Sequence, residues 1–428
     1  MQRHPKRLRQ QWVSPLALVL CGILAVCGTA RSDAVRRSAA ATPEGTYGRE
    51  GFLCPYGHTT SGAATAPALR QYDSPYYVIH SDLGEEVVRE ARVRLTAMAE
   101  EYRRRTKAFG PTTKPRLPFY LYRSRSDYYR AGGLRGTAGF YNGKALVAAA
   151  MGRTMTGLWR TLQHEGFHQF AHRVLGGRMP IWLNEGLAEY FAEGLWTGDG
   201  FVTGLIRPQR LERIKTLIRT KQLVPLGDML NLDQKTWISA VQVRHYDQAW
   251  SMVHFLVHGD SGRYRKALLG FIHDLSRSQP AQRSFESRFG RDHGALEKRY
   301  AGWWLALGSD PAADLRTQAT VAALTSFLAR AHLQGLRFRS AEEFFAAAKA
   351  DKIQTAPRGH ERLYLPGSLL KQHLSNAGRM ATWSLQTHSG SPTLKLAEPD
   401  GTTFVGQFLL RGEERPAVTV TTKRAATP

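Results

Sequence analysis

Apolar and polar positions follow two periods along this chain, and the change from one to the other divides it. Tyr76 to His80 and Leu117 to Tyr122 alternate with the two-residue period of half-buried strands. Between them, Val87, Val88, Ala91, Leu95, Met98 and Tyr102 recur at helical spacing over Leu83 to Arg104. Gly139 to Lys144 followed by Ala145 to Ala149 predicts a hairpin, because Asn142-Gly143 is a strong two-residue turn between strand-like runs. From Gly157 to about Leu307 the period is helical, including Asp247 to His258, Arg263 to Leu275 and Ala295 to Leu305. Asp310-Pro311 marks a boundary. Helical stretches over Val321 to Leu333 and Ala341 to Ala350 follow it, then a connector punctuated by Pro and Gly. Alternating runs come last, at Trp383 to Gln386, Thr393 to Leu396, Phe404 to Leu410 and Val418 to Thr422. No repeat of solenoid length is present.

The N-terminus has a different pattern. Arg3, Lys6, Arg7 and Arg9 precede an apolar run from Trp12 to Val26 that is short for a bilayer span, and small residues then offer cleavage after Ala30 or Ala34. The expectation is an exported chain, periplasmic, envelope-associated or extracellular, with no membrane span once the signal is removed. Four parts follow: residues 1–34 as signal, 35–73 as a flexible leader rich in Ala, Gly, Ser and Thr, 74–307 as the main folded unit, and 308–428 as a C-terminal segment, helical and then β-rich. Cys21 and Cys27 leave with the signal, so Cys54 alone remains and no internal disulfide forms. Packing must supply the stability.

With 428 residues the chain is long enough for two or three cores, and its 42% hydrophobic and 22% charged content is that of a globular protein. Charge is the unusual quantity. Lys and Arg number 59 against 35 Asp and Glu, a net +24 that falls only to +20 without the four N-terminal cations. Arg103-Arg104-Arg105 and the run Arg207, Arg210, Arg213, Lys215, Arg219 and Lys221 read as solvated helix faces. Their alternative is attraction of an anionic envelope component. Nucleic acid has no specific support, since zinc-finger and RNA-recognition signatures are absent, and so are Walker and Rossmann glycine loops.

The chemistry concentrates in Thr161-Leu-Gln-His164-Glu165-Gly-Phe-His168-Gln-Phe170, which contains His-Glu-x-x-His inside an apolar-periodic segment. Four residues on a helix turn about 400°, so His164 and His168 project from one face and can place two nitrogens on one Zn2+ at about 2.0–2.1 Å. Glu165 then lies where a general base acting on water is needed. Gly166 costs this helix about 1 kcal/mol against Ala. Ala171 and Val174 occupy the positions where a metzincin has Gly and His. His172 lies another full turn along the axis, about 12 Å from His164, and reads as a solvent or core-edge histidine. Downstream, Pro180-Ile-Trp-Leu-Asn184-Glu185-Gly-Leu-Ala-Glu189-Tyr-Phe places Glu185 and Glu189 on one face of a mostly apolar helix. Two carboxylates buried together call for a metal and a histidine N–H.

Together these residues resemble the gluzincin metallopeptidases of the thermolysin and membrane-alanyl-aminopeptidase type. Over residues 75–305 the chain more closely resembles the exported bacterial peptidase MA-like domains, whose second helix reads Trp-Leu-x-Glu-Gly-Leu-Ala-Glu-Tyr-Phe. The resemblance implies an α+β zincin-like fold: a small mixed sheet with an edge strand over the His-Glu-x-x-His helix, then a helical subdomain. It implies one zinc held by His164, His168 and Glu185, with Glu165 as base and Glu189 holding the far nitrogen of His164 beside Asn184. Tyr246 is the candidate for stabilising the oxyanion, with His245 second, because Tyr246-Asp-Gln-Ala-Trp250 resembles the family's Tyr-x-Gln-x-Trp segment. The Gly-x-Met-Glu-Asn aminopeptidase motif is absent, so the activity implied is that of an endopeptidase on peptide or protein substrates. The competing expectation is a non-catalytic envelope-binding protein with a degenerate or structural metal site. A structural site needs no base and usually closes with four ligands, whereas three are visible here.

Overall fold

The computed structural model describes residues 68–106, 116–150, 156–240, 243–355, 363–378, 382–387, 390–410 and 415–424. The expected signal, most of the leader and Cys54 lie outside them. The fold is mixed α+β.

Strands β1 (Arg70–Asp73) and β2 (Tyr77–Ser81) lead into helix α1 (Glu85–Arg105), followed by β3 (Leu117–Tyr122), α2 (Arg125–Arg130), β4 (Gly139–Tyr141) and β5 (Leu146–Ala149). The five strands form one sheet in the order β1-β2-β3-β5-β4, parallel at its centre and antiparallel at both edges. The leader therefore ends earlier than expected, since Arg70 to Asp73 pair with Ser81 to Val78. The hairpin forms as its turn predicts: Gly143 has φ +84°, and the Asn142 side chain accepts from the amides of Lys144 and Ala145. One edge of the sheet is thus the short strand β4.

Helix α3 (Thr156–Leu175) packs on β4, β5 and α1, and α4 (Ile181–Ala192) lies against it. Pro180 caps α4 from outside, its carbonyl accepting from Leu183 and Asn184. Gln163, beside His164, donates to the carbonyls of Phe191 and Gly194, and its own carbonyl accepts from Tyr102. The start of the motif and the far end of α4 are thereby tied together.

The hairpin β6 (Leu195–Trp196) and β7 (Phe201–Val202) follows. The helical part then comprises α5 (Pro208–Arg219), α6 (Leu226–Asn231), α7 (Gln234–Ala240), α8 (Val243–Gly262), α9 (Arg265–Ser276), α10 (Ala281–Phe289) and α11 (His293–Ala306). Helix α8 starts four residues before its sequence signal and leaves helical geometry at Gly259 to Ser261, where Asp260 and Ser261 have positive φ. It lies along α4.

The C-terminal segment consists of α12 (Ala313–Leu333), α13 (Ala341–Lys349), α14 (Gly367–Ala377) and strands β8 (Thr382–Gln386), β9 (Thr393–Ala397), β10 (Thr403–Leu409) and β11 (Ala417–Lys423). These strands form an antiparallel sheet in the order β11-β10-β9-β8, covered by α12. Its core is continuous with the first unit, because Ala97 and Trp196 belong to the same buried cluster as Phe327, Leu365 and Phe404. Arg330 of α12, 1% exposed, donates to Asp199 Oδ1 and Oδ2 at 2.9 and 2.8 Å, which fastens the β6–β7 hairpin to the C-terminal segment. No helix among the described residues is long and apolar enough to cross a membrane.

Candidate metal centre and its cleft

Helical periodicity does at α3 what the spacing predicts. The Nε2 atoms of His164 and His168 lie 3.1 Å apart, and Glu185 Oε2 on α4 lies 3.6 and 3.5 Å from them. All three side chains are buried, and their ligand atoms fall within 4.8 Å of one another. Among the described residues this is the one such cluster of histidine, cysteine and carboxylate groups. Glu185 Oε2 is buried with no hydrogen-bond partner, the condition of a carboxylate oxygen whose natural partner is a cation. These three residues could hold a metal ion.

The surrounding charges polarise the cluster. Burial works against a charge on His164, but the carboxylates of Glu185 and Glu189 outweigh it and carry the imidazole up to about 10. His168 is raised too, by Glu185 against the same burial. Burial would raise Glu185, yet the two imidazoles hold it down at about 2. Glu165 differs: burial dominates and lifts it above the ordinary carboxylate range. One of its oxygens accepts from the backbone N–H of Tyr141 at 3.0 Å, so edge strand β4 fixes this carboxylate directly.

Glu189 occupies the position implied for it, with Oε1 3.2 Å from His164 Nδ1. A carboxylate on Nδ1 favours the proton there and leaves the Nε2 lone pair for a metal. What lies behind Glu189 was not legible in sequence. Its Oε2 accepts from Arg210 Nη1 at 2.7 Å, and the same guanidinium reaches Glu193, Asp247 and the carbonyl of Tyr246. Arg160 lies 2.7 Å from Glu193, Arg207 2.6 Å from Glu193, and Arg213 grips Asp247 at 2.6 and 3.1 Å. Of the run that reads as solvated, Arg207, Arg213, Arg219 and Lys221 are exposed as expected, whereas Arg210 is buried among these carboxylates. Lys215 follows it, donating to the Leu307 carbonyl. Burial would raise Glu189, but Arg210, His164 and Arg160 hold it well below the ordinary range. The one signal for this network was the repeat of Glu185, Glu189 and Glu193 along one face of α4, which demands cations, but the pattern does not say which.

Tyr246 is 4% exposed, and its hydroxyl is buried without a hydrogen-bond partner. Burial raises its pKa, and the carboxylates of Glu185, Glu189 and Glu165 raise it further against an opposing contribution from Trp237. His245 packs against the Trp237 ring, centroids 6.0 Å apart, and Trp237 also meets Tyr246 edge-on at 5.4 Å. A cleft of about 270 Å³ opens beside His168 and Glu185, with Asn184, Met179 and Leu232 in its wall. His172 and Tyr141 line it too, and the Tyr141 hydroxyl lies 2.7 Å from His172 Nδ1. His172 is half-buried, as a core-edge histidine should be, and only its Tyr141 partner, 31 residues away, was not legible.

Over residues 159–282 the chain matches a family model described as a protein of unknown function, DUF1570. The matched stretch contains His164, Glu165, His168, Glu185, Glu189 and Tyr246. No curated protein and no solved structure matches the chain.

Proposed function

We propose that this chain is an exported, zinc-dependent peptidase of the gluzincin type that hydrolyses internal peptide bonds. The observation that carries the reading is the convergence of His164, His168 and Glu185, the last two lining a cleft, with a buried, raised-pKa Glu165 beside them. A mixed sheet whose edge strand β4 touches the motif helix supports the zincin-like version of the α+β fold.

Zinc, held by these three residues, would supply Lewis acidity and lower the pKa of water toward neutrality. Glu165 takes the proton from the attacking water and passes it to the leaving amine. Its raised pKa suits both transfers. The Tyr246 hydroxyl donates to the developing oxyanion, an interaction worth roughly 2.7–4 kcal/mol where a single such donor has been removed. Glu189 keeps the His164 ring oriented. Edge strand β4, apart from the Tyr141 N–H held by Glu165, can pair with an extended substrate backbone while the cleft takes a side chain.

Metal content and hydrolysis of a quenched-fluorescent peptide mixture test this together. The expected result is about one zinc per chain, largely lost in Glu185→Ala, with Glu165→Gln retaining zinc and losing hydrolysis. A chain that binds no zinc when supplied with it, or a Glu165→Gln variant as active as wild type, overturns the proposal in favour of an envelope-binding protein.

A further inference from the structure

Arg210 is 4% exposed and touches both halves of the proposed machinery through one rigid group. Nη1 donates to Glu189 Oε2 at 2.7 Å and reaches Glu193 Oε1 at 3.4 Å. Nη2 donates to the Tyr246 carbonyl at 3.3 Å, and Nε lies 2.8 Å from Asp247 Oδ1. The guanidinium carbon sits 4.2 Å from the centre of the Trp250 ring, so an aromatic face fixes its plane. Glu189, through its other oxygen, faces His164 Nδ1 at 3.2 Å.

From these contacts we infer that Arg210 is a positioning residue that couples the orientation of His164 to the placement of Tyr246. The inference rests on the zinc-peptidase reading and goes beyond it. Charge alone does not explain this arginine, because Arg160 already lies 3.5 Å from Glu189 and 2.7 Å from Glu193. What no neighbour supplies is a planar fork whose separate N–H groups reach the carboxylate behind the metal ligand and the backbone of the candidate oxyanion residue at once. A lysine there keeps the charge but, as a single donor centre, cannot hold both.

The test uses the full chain and Arg210→Lys. Zinc affinity is read by competition with a chelator. Activity is read on a quenched-fluorescent peptide mixture at saturating zinc. The expected result is a zinc Kd raised about tenfold or more, and a kcat that stays at least tenfold down when zinc is saturating, with KM unchanged. In a Tyr246→Phe background that residual kcat loss disappears, because Arg210 then has no oxyanion donor to place. Unchanged zinc affinity, full recovery of kcat by excess zinc, or a loss that adds fully to that of Tyr246→Phe each overturns the coupling. If Arg210→Lys fails to fold, Glu189→Gln takes its place in the cycle with Tyr246→Phe, and strict additivity there overturns it. If wild type holds zinc and cleaves nothing, the peptidase reading falls and takes the coupling to Tyr246 with it, whereas unchanged zinc affinity in Arg210→Lys with an active wild type overturns the coupling alone.

Discussion

Replacing Gly186 by alanine would put a Cβ 2.4 Å from the Ala249 carbonyl oxygen and 2.7 Å from Val253 Cγ2, so α4 and α8 could not keep their separation. Because the obstacle is backbone, the expected cost is about 1–3 kcal/mol, read as a lower urea midpoint. The same shift would move Glu185 away from His164 and His168, so zinc affinity should fall with stability. Gly166, inside the motif, behaves differently. A Cβ there meets Met98 Cε at 3.2 Å, the end of a flexible side chain, and alanine regains about 1 kcal/mol of helix propensity. Gly166→Ala should therefore leave the urea midpoint equal to or above that of wild type. At this scale the sequence was readable where local periodicity sets the outcome: the i,i+4 histidines and the i,i+4 glutamates meet as a straight helix requires. It was not readable for Arg210 or His172, whose partners are 17 to 37 and 31 residues away and are brought up by packing.

Among the elements, the long amphipathic helices and the Asn142-Gly143 hairpin were legible because each carries its own period or turn signal. The two-residue strands β6 and β7 were not, and α14 was hidden behind Pro366-Gly367 although Leu369, Leu370, His373 and Leu374 follow helical spacing. Those inconspicuous strands carry the joint between the two parts. Asp199 sits between β6 and β7, and its pair with Arg330 is 2% and 1% exposed. Removing one partner leaves a buried uncompensated charge, so Asp199→Asn should cost about 3–5 kcal/mol. Urea unfolding of Asp199→Asn against wild type checks this. A loss under about 1 kcal/mol would mean that the Leu363 and Ser326 carbonyls, which also accept from Arg330, suffice to hold it.

For the whole molecule, the large positive charge is partly spent internally: Arg160, Arg207, Arg210, Arg213 and Arg330 all face carboxylates. Buried histidines add a pH dependence. Burial, with Arg105 and Arg265, pushes His258 down to about 4, and burial with Arg94 does the same to His373. Both are neutral when folded and take up a proton near 6.5 when unfolded. Their contribution is therefore complete above about pH 6.5 and is lost as pH falls toward 4, by up to about 1.4 kcal/mol per pH unit each. Denaturation at a series of pH values between 7 and 4, at fixed saturating zinc, should show a shallower decline for His373→Gln than for wild type. The shared core around Trp196, Phe327 and Phe404 also sets a direction in time. Synthesis delivers the candidate metal-ligating residues of α3 and α4 first, and Arg330, the anchor for the hairpin that follows α4, comes 131 residues after Asp199. A nascent chain thus carries every residue of the proposed reaction, and the core from Tyr77 to Ala312 that packs around them, before the segment that covers Trp196 and pairs with Asp199 has been made.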